Sequence, residues 1–414
     1  MDTLEIINNK YKGLELHKSD VETIILGYAT SEIDDDTMKK FLEAIRENDM
    51  TEKEIADFVD ILVHNGDALE FPFRTIDEYS TDNIMDKSSL ILVPLLSSMG
   101  VKTLNISESD NAGNALRLGA IDGIQLELST DEVVKQMEDK KAAFVVQGEN
   151  VCPLNKKIFN LAIKNNLVSL PLVIVNTLCK LLISNSNTIV LDIKIGLDGF
   201  ITNLEDARKA ADIIIKIGHL NGKKIICVLT NQNMPLGKNI GNSLEILEII
   251  DTLKGNGTKE LNEYIINLGS LMLSLDKDTP VEESIEYIEN ALENTSGYDK
   301  FKEIIEYQKG NLDSVTLSTK KLSLKSLGTG YICGINLRRL CTLTKELGGS
   351  DEKNINNGVG FKLHKTVGDY VTTDDELVTV YYDKQDLSLK SIYECFVYSD
   401  ERVEKPTIIY DIVR

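Results

Sequence analysis

Four runs rich in β-branched and apolar residues constrain the fold most: VKTLNIS (101–107), KAAFVVQG (141–148), TIVLDIKIG (188–196) and KIICVLT (224–230). Between them lie stretches with helical periodicity, DEVVKQMEDK and LEDARKAADIIIKIG. Buried strands separated by amphipathic helices build a largely parallel sheet covered by helices. The sequence therefore predicts a multidomain α/β fold whose ligands sit at the carboxyl ends of the strands. Three segments converge there: DEYSTDNIMDKSS (77–89), the residues after Ser107, and the turn in LDIKIGLDGF. The first of these reads as a loop leading into a helix.

The regions around this alternation differ in character. Met38, Phe41, Leu42 and Ile45 recur at helical spacing, and Thr51 to Glu54 form a capping box ahead of Ile55, Phe58, Val59, Leu62 and Val63. His64-Asn65-Gly66 ends that helix. Residues 155–187 are again helical and apolar, and are expected to pack back on the N-terminal helices. Beyond about residue 305 the chain turns to short strands, as in GVGFKLHKTVGDYVTTDDELVTVYYD. The expected division is a helical unit (1–66 with 155–187), an α/β unit (67–154 with 188–305) and a C-terminal α+β unit (320–414).

Composition narrows the function. A net charge of −21 over 414 residues argues against binding a nucleic-acid backbone or an anionic membrane surface. The six cysteines are scattered without C-x-x-C spacing and read as reduced structural thiols. The four histidines, His17, His64, His219 and His364, are far apart, which gives little support to a zinc site or a Ser-His-Asp triad. The N-terminal stretch MDTLEIINNKYKG has no apolar signal segment, so a cytoplasmic protein is expected.

Several strings then recur in a familiar order: GDALEF, STxxxxDxSSL at 80–90, LGAIDGI at 118–124, VLDIKIGLDGF at 190–200, MPLGKNIGNSLEILEIIDTLKG at 234–255, GVGFKLHKTVGDYV and KPTIIYDIV. With these the chain resembles the pyrimidine-nucleoside phosphorylase and thymidine phosphorylase family over nearly its full length. The resemblance implies a homodimer through the helical unit and no cofactor. It also implies cleavage of a pyrimidine nucleoside by phosphate, giving the base and a pentose 1-phosphate.

Where the family pattern is K-H-S-T-G-G-V-G-D-x-T-S/T-L, its lysine and histidine positions hold Glu78 and Tyr79, and its glycine positions hold Asp82, Asn83 and Met85. Ser80, Thr81, Asp86, Ser88 and Ser89 fit the pattern. In the second phosphate segment a lysine position holds Asn105; Ser107 matches, and Asn114 stands for a threonine. In the base-binding stretch the arginine position falls on Ala162, a serine becomes Asn176, and the lysine is kept as Lys180. The candidate ligand contacts are thus Ser80, Thr81, Ser89, Ser107, Asn114, Asn176 and Lys180. No catalytic residue is assigned.

The expected consequence is electrostatic. A unit-charge pair at about 4 Å is worth roughly 4 kcal/mol at an effective dielectric near 20, so exchanging lysine for Glu78 opposes anion binding by up to about twice that. Losing the glycines is expected to deny the loop its positive-φ conformations. The reading that results is a degenerate, catalytically inactive relative that binds a nucleoside- or nucleotide-type ligand. The alternatives are ordinary phosphorolysis and a phosphate-independent variant of it. Glu78, Glu108 and Asp110 offer oxygens to a cation or to sugar hydroxyls, but read more simply as a solvated acidic rim. Family members that hold a potassium ion do so at positions matching Met85, Lys87, Leu236, Asn239 and Glu248. Here Lys87 either replaces that ion and pairs with Glu248, or is solvated.

Overall fold

The computed structural model describes every residue except 1, 68–70, 83, 108–112, 149–150, 185, 351–353 and 384–387. The chain opens with four helices, α1 (Thr3–Tyr11), α2 (Lys18–Ala29), α3 (Asp35–Asn48) and α4 (Glu52–Val63). The capping box at Thr51 is formed: its hydroxyl accepts from Glu54 N while Glu54 accepts from Thr51 N at 2.8 Å. Then come β1 (Ile76–Ser80), α5 (Ser88–Ser98), β2 (Thr103–Ser107), α6 (Gly113–Leu118), α7 (Thr130–Lys140) and β3 (Ala142–Val146). α8 (Pro153–Lys164) and α9 (Leu170–Ile183) follow, before β4 (Thr188–Ile195), α10 (Leu204–Leu220) and β5 (Lys224–Asn231). Next are β6 (Asn239–Ile240), α11 (Asn242–Asp251), α12 (Lys259–Lys277), α13 (Val281–Glu293) and α14 (Ser296–Tyr307). The last section comprises β7 (Lys320–Lys325), β8 (Gly330–Ile335), α15 (Leu337–Thr344), β9 (Gly360–Leu363), β10 (Tyr370–Val371), β11 (Glu376–Tyr382), α16 (Leu389–Tyr393), β12 (Phe396–Ser399) and β13 (Ile409–Val413).

The four apolar runs of the sequence are β2 to β5. The main sheet has the order β1-β4-β5-β13, with β1, β4 and β5 parallel, and β2 pairs with β3 in parallel beside it. One strand departs from the loop expected over 77–89: Ile76–Ser80 pairs with β4, Glu78 opposite Val190. Its acidic residues hide it. Asp77 is buried because its carboxylate accepts from Leu104 N at 2.8 Å and Thr75 Oγ1 at 2.9 Å, which ties β1 to β2.

Alternation along the strands sorts the cores. Ile189, Leu191 and Ile193 join α1–α4, α8, α9 and α10 in one cluster, whereas Ile76, Val190, Ile226 and Val228 pack against α5 and α11–α14 in another. The C-terminal strands form two antiparallel sheets, β10-β8-β12 and β6-β9-β11-β7, around a third core. The expected C-terminal unit took in all of 320–414. Instead β13 runs back to the main sheet and pairs antiparallel with β5, Val413 opposite Cys227. Cys152, Cys179, Cys227 and Cys395 are buried, and Cys333 is exposed. No helix among the described residues is long and apolar enough to cross a membrane.

Candidate functional site

The α5-facing side of the sheet ends in charge. With Val190 and Val228 facing α5 and α12, Asp192, Lys194 and Thr230 must lie on that same face. Lys194 Nζ donates to Asp192 Oδ2 at 2.5 Å and to the Tyr264 hydroxyl at 3.3 Å, and stands 3.7 Å from Asp86. Tyr264 and Thr230 also donate to Asp192. Asp86 accepts from Ser88 N at 3.0 Å. Burial works against the Lys194 ammonium, but Asp192 and Asp86 outweigh it and hold its pKa above the ordinary value.

Glu78 points into this cluster. It is 7 % exposed, so the solvated-rim reading fails for it. The Ser89 hydroxyl, in the first turn of α5, donates to its Oε2. Burial first, then the neighbouring Asp86 carboxylate, push its pKa up to about 8. Glu108, Asp110 and Asn83 lie outside the described residues.

The loop after β1 is closed by three contacts. The Ser80 hydroxyl donates to Asp82 O at 2.7 Å, and Thr81 Oγ1 accepts from Lys194 N at 3.0 Å. Arg338, from α15, reaches Asp82 at 3.3 Å and donates to Asp198 O at 2.8 Å, so the C-terminal unit touches both loops. Burial raises the Asp82 pKa, and Arg338 opposes that rise. Met85 departs from expectation. It keeps a left-handed backbone, φ 51°, despite having a side chain. That side chain is buried in the C-terminal core with Ile240, Leu337 and Phe361. The conformational cost of about 1–2 kcal/mol is offset by apolar burial of similar size.

Lys87, next along, is 1 % exposed. Its ammonium donates to Glu248 Oε2 at 2.5 Å and to Asn239 O at 3.1 Å, with Glu245 at 3.9 Å. Glu248 also accepts from Lys238 N at 2.6 Å, and a Cβ on Gly237 would collide with its carboxylate. Only glycine allows that approach. Arg117 closes the chain of charges, donating to Glu245 at 2.6 Å and to Asn114 Oδ1 at 3.4 Å. Arg117 and Glu245, with Asp82, Met85 and Arg338, border a cavity of about 310 Å³.

The remaining candidates are more dispersed. Asn176, on α9, accepts from Asn155 Nδ2 at 3.0 Å; Ala162 is fully buried, and Lys180 is half-buried. Tyr79 packs against the helical core, and burial raises its hydroxyl pKa. Ser107 is half-buried at the end of β2, and Asn105 is 9 % exposed. Sequence reasoning missed Arg117, Tyr264, Asn155 and Arg338, which come from distant elements. The spacing of Asp192 and Lys194 was the one local signal, since i and i+2 share a strand face.

A mainly parallel sheet with charged side chains at its carboxyl ends defines an α/β scaffold with a ligand site at the strand ends. The profile described as glycosyl transferase family, a/b domain, matches residues 74–298, and that of the pyrimidine nucleoside phosphorylase C-terminal domain matches 331–399. The chain is 31 % identical to a pyrimidine-nucleoside phosphorylase of Geobacillus stearothermophilus over 430 residues, covering 99 % of each chain. It is 29 % identical to one of Staphylococcus haemolyticus (strain JCSC1435), covering 100 % of each. Its fold is similar to that of an anthranilate phosphoribosyltransferase from Thermus thermophilus, with TM-score 0.58 and 14 % identity, over 73 % of this chain and 99 % of the other. The chain belongs to the pyrimidine-nucleoside phosphorylase family.

Proposed function

We propose that this chain is a family member that has given up phosphate-dependent cleavage and keeps the scaffold to bind a nucleoside- or nucleotide-type ligand in a regulatory role. The observation that carries this reading is Glu78, buried against Ser89 at the position where the family pattern has a lysine. Phosphorolysis needs cations and aligned donors beside the anomeric carbon as charge develops. Asp86, Asp192 and Lys194 match the family strings, so what differs here is the carboxyl group of Glu78 in place of an ammonium. A phosphate placed there would meet a carboxyl group where the family pattern offers an ammonium. The hydroxyls of Ser80 and Ser89 donate inward, to Asp82 O and Glu78. The weakly acidic Tyr79 is a poor proton donor to a departing base.

Incubation with uridine or thymidine tests the reading. No phosphate-dependent release of uracil or thymine is expected, while a nucleoside-type ligand raises the unfolding temperature. Base release that depends on added phosphate would overturn it. Release without phosphate would replace it with hydrolysis.

Two structural proposals accompany this one. The Lys87 ammonium stands where the resemblance puts potassium: it contacts Glu248 and the Asn239 carbonyl, which leaves the residues unsuited to a metal ion there. The protein is also read as a homodimer through the helical unit, which leaves Leu4, Leu14 and Ile163 exposed at 56 %, 51 % and 44 %. A monomer by light scattering would remove that reading.

A further inference from the structure

The α5-facing side of the sheet carries more negative charge than its own cation neutralises. Glu78, Asp86 and Asp192 are all buried, and each brings a carboxylate oxygen within 4.8 Å of the others. Lys194 is the ammonium against them, touching Asp192 and Asp86. Lys87 and Arg117 are engaged by Glu248 and Glu245. Three carboxylates against one ammonium leave an excess of negative charge whenever all are ionised.

Acidic clusters occur without ligands, so a second observation is needed. Two buried acceptors, Glu78 Oε1 and Asn105 Oδ1, have no hydrogen-bond partner among the described residues, although their side chains are 7 % and 9 % exposed. Native interiors rarely leave such atoms unsatisfied. The strands that carry them are neighbours. Ile76 N donates to Lys102 O at 3.1 Å and Leu104 N to Asp77 Oδ1 at 2.8 Å, so β1 and β2 run side by side, with Glu78 following Asp77 on one and Asn105 following Leu104 on the other. Leu104 and Ile106 pack on the opposite face with Val133 and Met137, so Asn105 lies on the face that carries Glu78 and Asp192.

We infer that this end of the sheet is a cation subsite, with Glu78, Asn105 and Asp86 supplying oxygen ligands to a metal ion or to the ammonium group of a small molecule. The inference rests on the reading that phosphate no longer binds here, and gives the altered site a ligand class. Every donor atom offered is a carboxylate or amide oxygen, the set that hard cations and ammonium groups prefer. A cation would supply what both orphan acceptors lack and offset the excess charge. This subsite is separate from the Lys87–Glu248 pair, where the protein provides its own ammonium.

Thermal unfolding of the full chain tests this in magnesium, calcium, potassium, ammonium or methylammonium chloride, at ionic strength held constant with tetramethylammonium chloride. One class of cation is expected to raise the midpoint saturably. A response to magnesium, calcium or potassium identifies a metal site, and a response to ammonium and methylammonium an amine site. Glu78→Gln, which keeps the shape and removes the ionisable ligand, should abolish the rise. Asn105→Asp, which adds a carboxylate, should shift it to lower cation concentration. The inference is overturned if no cation acts beyond the control, or if neither variant alters the response. Cation indifference without phosphorolysis would sink this inference alone, whereas phosphate-dependent base release would sink the reading beneath it.

Discussion

Glu78 links folding stability to pH. Its carboxyl titrates near 4.5 when unfolded and at about 8 when folded, so between those values the native state holds a proton that the unfolded chain releases. Stability is then fullest below the lower value and is lost as pH rises toward the upper one. Asp77 has the same sign, with burial pushing it up from 3.8 to about 7. Each group contributes a slope of at most about 1.4 kcal/mol per pH unit. Urea unfolding in cation-free buffer should show stability falling from mildly acidic to mildly alkaline pH, and Glu78→Gln should flatten part of that fall. An unchanged slope in the variant would place the titration elsewhere.

The loop between β1 and α5 is held at two adjacent points of different kinds. Met85 pins it by apolar burial and Lys87 by a buried ion pair. Truncating a buried methionine to alanine costs about 2–5 kcal/mol, but glycine at this position also relieves a left-handed backbone. Met85→Gly should therefore be less destabilised than Met85→Ala, the reverse of the usual order, as read by denaturant midpoints. Lys87→Met leaves Glu248 buried without its partner and should cost about 3–5 kcal/mol. Lys87→Ser makes room for an ion, so its unfolding temperature should rise in potassium over sodium by more than that of the parent protein.

This loop also marks where sequence reading stopped. β2 to β5 were legible because their apolar runs are continuous and bounded by helical periodicity. β1 was not, because Asp77 and Glu78 are satisfied by β2 and α5, partners that no local pattern reveals. The loss of cationic positions was plain in the residues, but the direction Glu78 faces was not. Met85 kept its positive φ because a tertiary contact offset a local preference, which propensity arguments cannot register.

At the scale of the molecule, the far end of the chain supports the charged cluster. β13 forms the outer edge of the sheet on β5, and Asn231 is held by Ile408 O at 2.8 Å and Thr407 O at 3.0 Å. β5 in turn carries Thr230, which donates to Asp192. A truncation before Thr407 would bare the β5 edge and the buried side chains Ile226 and Val228, creating an unprotected sheet edge. The expected result is a lower unfolding temperature, a tendency to associate, and faster amide exchange along β5 than in α1–α4. Arg208→Ala separates strand pairing from surface charge, since it breaks only the exposed ion pair with Asp411. Such pairs contribute about 0–1 kcal/mol, so that variant should stay close to the parent. If it matched the truncation instead, the ion pair rather than the strand would hold the sheet together. If β5 exchange were unmoved by the truncation, the C-terminal strand would have no part in supporting Asp192.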